Sequence, residues 1–331
     1  MKDHPPRKSD TLLGVGLGVG MLGALALALR YGFRKSLPER LPDSLSPADF
    51  ATRVCQTSQA EIVFHVSGQG SPLVFLHHPS IGASSFEWAR VYPSFAATHE
   101  VFAPDLPGFG ESERPRRCLH PEDFARSLAD FLHLVSPRVP ATIVGSGLAG
   151  GLAVLLASKH PELVSRLLLV SPVARPTRLS RIPGIPRLGV PRALRGTTYR
   201  NHYARLPYLR SALARELFAF PETLPDDVIH AYSTCALQYG AEHAILHLSS
   251  GRWILDLSEV AVSETVPVTI LRPALLAGLP ADAVDQTIAA LRPRAVQTLP
   301  EAGFLAAIDQ PEAVVDWLRT ELAGGLRSVQ P

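Results

Sequence analysis

The residues best placed to do chemistry lie in the run Ala141-Thr-Ile-Val-Gly145-Ser146-Gly147-Leu148-Ala149-Gly150-Gly151. A short β-branched segment (Thr142, Ile143, Val144) enters a glycine-rich turn. A helix of small and apolar residues follows from about Leu148 to His160 and is stopped by Pro161. Strand, tight turn and buried helix serve two chemistries. A G-x-S-x-G turn lifts a nucleophile to an exposed apex, whereas a G-x-G-x-x-G turn lays backbone against the pyrophosphate of a dinucleotide.

Gly145, Gly147 and Gly150 match the dinucleotide pattern literally. That chemistry also needs an acidic residue about 20 positions on, at the end of the next strand, to hold the ribose hydroxyls. Here the next strand, Arg166–Val170, ends in Ser171-Pro172. A dinucleotide-binding oxidoreductase is therefore carried as a second alternative.

The surroundings fit a nucleophile elbow better. Upstream stand Leu73-Val-Phe-Leu-His77-His78, Gly82-Ala-Ser-Ser-Phe-Glu-Trp88 and Val101-Phe-Ala-Pro-Asp105-Leu-Pro-Gly108-Phe-Gly110-Glu-Ser112. Downstream stand Val266-Pro-Val-Thr-Ile-Leu271, then Leu299-Pro-Glu-Ala-Gly303-Phe304 and Gln310-Pro-Glu-Ala-Val314. From about Glu61 to Leu322 the chain resembles the α/β-hydrolase family, in its capped branch with haloalkane dehalogenases, epoxide hydrolases and carbon–carbon bond hydrolases. The resemblance implies an α/β fold, a mostly parallel sheet with helices on both faces, and an inserted helical cap.

Carried over residue by residue, the family's triad falls on side chains that cannot perform it. The nucleophile falls on Gly147, the acid near Leu276 and the histidine on Phe304, and no histidine follows His247. These three roles act as one unit. Ser146, one place early, has Val144 and Leu148 where the G-x-S-x-G motif needs glycines, and is the fallback nucleophile of an active hydrolase with an atypical apparatus. The family's His-Gly pair reads His77-His78, so an imidazole replaces the glycine that lets a backbone N–H approach substrate. Neighbours on a strand end point in opposite directions, which predicts one structural and one pocket-lining histidine. The expected ligand pocket comprises His77, His78, Ser146, Gly147, Leu148 and Phe304. A glycine at the apex also removes the strain, about 1–3 kcal/mol, of a side-chain-bearing residue there.

The elements that position these residues follow from the rest of the chain. At 331 residues, with 46% hydrophobic content and 30 prolines, it has room for one hydrolase-like core with a cap and an appendage. A net charge of +2 gives no global support for nucleic-acid binding. Cys55, Cys118 and Cys235 are far apart and read as free thiols of a reducing compartment. Residues 11–29 carry no charge, enough to span a bilayer, and Arg30, Arg34, Lys35 and Arg40 follow at once. They read as a membrane anchor with the globular part on the cytoplasmic side. The pairs Gly14/Gly18 and Gly16/Gly20 offer a flat face to a second helix, from a homodimer or another membrane protein.

Residues 37–58 read as a linker, and Glu61–Val66 with Leu73–His77 as a hairpin across Gly68-Gln-Gly70. Pro121–Leu134 has helical spacing. The cap is placed at 172–262, between core segments 59–171 and 263–331. Its first half holds ten arginines between Arg175 and Arg215 and no acid. Arg181, Arg187, Arg192 and Arg195 are read as a surface for anionic lipid or an acidic partner. His243 and His247 are spaced i, i+4 without an evident third ligand, so no metal or other cofactor is expected. The expectation overall is a membrane-anchored, non-catalytic protein that binds a small apolar ligand or a partner.

Overall fold

β5 (Ala141–Ser146) sits at the middle of an eight-stranded sheet ordered β1-β2-β4-β3-β5-β6-β7-β8. The other strands are β1 (Ala51–Gln56), β2 (Glu61–Ser67), β3 (Ser71–Leu76), β4 (His99–Pro104), β6 (Val164–Val170), β7 (Val268–Pro273) and β8 (Ala295–Leu299). β1 and β2 join antiparallel to their neighbours and every other pairing is parallel. This computed structural model describes residues 50–176, 192–250, 253, 255–257, 260, 262–276 and 283–326. All of them belong to one unit, Arg40–Pro331.

Strand alternation divides the core between the two faces of the sheet. Val74, Leu76, Ile143, Leu167 and Leu169 point to one face, where α1 (Pro121–Val135) and α2 (Gly147–Lys159) lie. Leu73, Phe75, Val144, Leu168, Val170 and Leu271 point to the other, against Trp88, Tyr92 and Trp317. α2 is apolar all round and buried from Gly147 to Ala157, as a helix enclosed on every side must be. α1 buries one stripe, Phe124, Leu128, Phe131 and Leu132.

The cap comprises α3 (Arg192–Thr198), a π-helical turn (Tyr199–Tyr203), α4 (Leu206–Leu217), α5 (Asp226–Ala236) and α6 (Ala241–Leu248). α7 (Ala283–Leu291), α8 (Ala306–Asp309) and α9 (Pro311–Leu326) complete the core.

Two expectations are corrected. β2 and β3 do not form a hairpin: β4 lies between them, parallel to β3 and antiparallel to β2. Ala51–Gln56, assigned to the linker, pairs with β2 over its whole length as the edge strand β1. Its pattern is mostly exposed, so it carries no run of buried side chains to mark it. Residues 11–29 and the glycines Gly14, Gly16, Gly18 and Gly20 lie outside the described residues. Among the described residues no helix is long and apolar enough to cross a membrane.

Candidate functional site

The elbow begins where β5 ends. Ser146 is extended (φ −106, ψ 148) and Gly147 turns the chain into α2 at φ +51, in the left-handed region. The glycines around it are there for packing. A Cβ on Gly145 would stand 3.2 Å from Gly150 Cα, and one on Gly150 would stand 3.2 Å from Pro172 Cβ. Strand, helix and the chain beyond β6 are therefore in close contact at these glycines.

A Cβ on Gly147 would strike the His78 ring and stand 2.9 Å from Phe304 Cζ. The two rings meet edge to face, centroids 5.1 Å apart at 86°. His78 Nδ1 accepts the Leu148 N–H at 3.1 Å, which places the neutral ring's proton on Nε2. His78, Ser146, Leu148 and Phe304 are all buried. Burial, reinforced by His77, holds the His78 pKa down at about 3, so the ring is uncharged.

His77 faces elsewhere. Its Nε2 accepts the Leu106 N–H at 3.0 Å, its Nδ1 bonds the His78 carbonyl at 3.4 Å, and Phe109 stacks edge-on. It fixes the loop that follows β4. Next to that loop, the D-x-P-G-x-G-x-S stretch has a mechanical explanation. Asp105 accepts the N–H groups of Ser85 (2.6 Å) and Glu111 (2.7 Å), while Ser112 donates to the Asp105 carbonyl and accepts from Val63.

Below the elbow lies a residue the motifs did not single out. Glu87, in the short turn Ser85–Trp88, accepts the His78 N–H at 2.7 Å through Oε2 and the Ser146 hydroxyl through Oε1. Burial raises its pKa to about 7 against the opposing pull of those two hydrogen bonds. The only sequence signal was an acid between Phe86 and Trp88, an apolar setting where a carboxyl needs partners.

The remaining positions are apolar or structural. Leu276 is half-buried against the core. The Phe304 carbonyl accepts the hydroxyl of Ser171, itself at φ +49, at 2.8 Å. Asp309 Oδ2 accepts from Gly303 N–H at 2.7 Å and from Ala219 N–H, just beyond α4, at 3.1 Å. Arg181 and Arg187, and the side chain of Arg192, lie outside the described residues, and Arg195 is half-buried. Two other arginines of that segment are paired with acids from the second half of the cap: Arg200 with Glu242, and Arg210 with Asp226 at 2.6 Å.

A parallel sheet with a strand–glycine–helix elbow at its centre and a helical cap defines the α/β-hydrolase class. Residues 72–227 match the family model described as alpha/beta hydrolase fold. That segment of the chain belongs to the α/β-hydrolase fold family. It is 38% identical over 111 residues to 2-hydroxymuconate semialdehyde hydrolase from Pseudomonas sp. (strain CF600), covering 32% of this chain and 38% of that protein. The chain thus spans little more than a third of that relative. The structure resembles an epoxide hydrolase, CorEH, with TM-score 0.68, 19% identity and coverage of 83% and 99% of the two chains. It also resembles a bacterial membrane phospholipase A, with TM-score 0.64, 21% identity and coverage of 95% and 97%.

Proposed function

We propose that this chain is a non-catalytic member of its family, a binding or assembly protein whose elbow has become part of the core. One observation carries the reading. The volume that a nucleophile's side chain would occupy at Gly147 holds the rings of His78 and Phe304. The same His78 ring takes the Leu148 N–H, the donor that follows the apex and would otherwise face a substrate oxyanion. The backbone N–H of His78 is likewise committed, to Glu87.

The uncharged segment at residues 11–29 supports tethering this domain to a membrane, where a small apolar ligand or a membrane-embedded partner would meet it. Identifying what co-purifies with the full chain from native membrane names that partner.

The purified full chain should not hydrolyse nitrophenyl esters above background or react with a fluorophosphonate probe. Stoichiometric labelling overturns the proposal. A second reading, an active hydrolase using Ser146, is favoured by the Ser146–Glu87 hydrogen bond alone, since a carboxyl titrating near neutrality can accept a hydroxyl proton. Labelling located on Ser146 and lost in Glu87→Gln would establish it.

A further inference from the structure

We infer that Cys118, His120 and His247 form a site for a borderline-soft divalent ion of the zinc class, clamping the cap to the core. The ligand atoms of these three residues lie within 4.8 Å of one another. Neither histidine spacing nor cysteine spacing in the sequence pointed to it, because the residues come from two parts of the fold. His247 was paired in sequence with His243; its neighbours in space are instead contributed by the core.

The local geometry follows from the chain. Cys118, Leu119 and His120 lead into α1, with His120 in extended conformation (φ −93, ψ 165). In an extended segment alternate side chains share a side. Leu119 is buried in the core, and Cys118 and His120 both reach His247 on the last turn of α6. Cys118 Sγ sits 2.5 Å from His247 Nε2 and 2.7 Å from Nδ1, although 129 positions separate the two residues. His120 and His247 rings meet edge-on with centroids 5.7 Å apart.

The donor set selects the ion. One thiolate and two imidazoles suit zinc, cobalt or nickel and not calcium or magnesium, which take oxygen ligands. Zinc bonds of about 2.3 Å to sulfur and 2.0–2.1 Å to nitrogen put S and N about 3.5 Å apart in a tetrahedron. The His247 ring therefore withdraws from Cys118 by about 1 Å on loading, within reach of a side-chain rotation. Three protein ligands leave a fourth position for water. The nearby Arg117 guanidinium is occupied by Asp123, 3.5 Å away, and by Gln59.

The second cluster of possible ligands, His65, Asp105 and Glu111, is built differently. Both oxygens of Asp105 already receive backbone N–H groups, so that carboxylate holds a turn.

The inference stands apart from whether the elbow turns over, and so does its test. Full-length protein in detergent is stripped with a chelator and titrated with cobalt(II). One equivalent should bind with a thiolate-to-cobalt charge-transfer absorption, and zinc should displace it. Cys118→Ser should abolish that absorption. The exposed His120→Gln and the cap's His247→Gln should each weaken binding about tenfold or more. A wild-type protein with no charge-transfer absorption overturns the site, as does an undiminished absorption in Cys118→Ser, which would assign the metal to Cys55 or Cys235. His120 is exposed, so its variant keeps the test decisive if either of the others fails to fold.

Discussion

The imidazole of His78 accepts the backbone N–H of Leu148 at 3.1 Å, and in doing so lies across the apex glycine of the elbow. One ring thereby fills the place of a reactive side chain and consumes the adjacent backbone donor. The consequences can be measured one residue at a time.

Gly147→Ser should yield no esterase activity, because the adjacent imidazole of His78 already spends its Nδ1 lone pair on the Leu148 N–H and burial strips it of basicity. It should destabilise the protein by roughly 2–6 kcal/mol, combining backbone strain at φ +51 with overpacking against His78 and Phe304. Denaturant melts of the variant alone and in a His78→Gly background should show a smaller loss in the second. Equal losses in the two backgrounds would mean that the ring does not press on the apex.

Glu87 gives a pH signature of definite sign. Its folded pKa, about 7, lies above the ordinary carboxyl value of 4.5, so the folded state binds the proton more tightly. That contribution is complete below pH 4.5 and is lost as pH rises to 7; the displacement corresponds to about 3 kcal/mol. Glu87→Gln should therefore match the wild type near pH 4.5 and exceed it above pH 7 by up to that amount. A difference that stays constant with pH would rule out a raised pKa at this residue.

His78 has the opposite sign. Its folded pKa of about 3 lies below the ordinary 6.5, so its contribution is complete above 6.5 and is lost as pH falls towards 3. His65 and His77, also depressed by burial, act in the same direction. The two windows overlap between pH 4.5 and 6.5, where the effects oppose each other, so the Glu87 loss should show above that range and the histidine loss below it, and His78→Gln should flatten the acid side.

If residues 11–29 anchor the protein, deleting residues 1–35 should move it from the membrane pellet to the supernatant. If the arginine-rich part of the cap also touches lipid, the truncated domain should still bind vesicles containing anionic lipid, with binding that falls steeply as salt is added. Glutamine at Arg181, Arg187, Arg192 and Arg195 should then remove it. A truncated domain that ignores anionic vesicles leaves the arginines with no lipid role.

The elbow was legible in the sequence because its signals are local: a β-branched strand, a glycine at the apex and an apolar helix. The ring at Phe304 was legible through its neighbour Gly303. The packing behind them was not. Glu87 reaches Ser146 across 59 positions, and no periodicity encodes such a pairing. The hairpin expectation failed for the same reason. β2 and β3 are adjacent in sequence with glycines between them, and the strand that separates them arrives later in the chain. Cys118 and His247 likewise meet only once the cap has folded over the core.

Asp309 receives an N–H from the Phe304 loop and another from the chain just past α4, and Leu305 N–H bonds the Leu217 carbonyl at 3.2 Å. This end of the cap is thus riveted to the segment that carries the aromatic plug. A lid hinged here could not swing without dragging Phe304 off the elbow, so the cap works at this end as a strut. Whatever moves α4 is transmitted to the ring over Gly147, and whatever displaces that ring is felt by the cap.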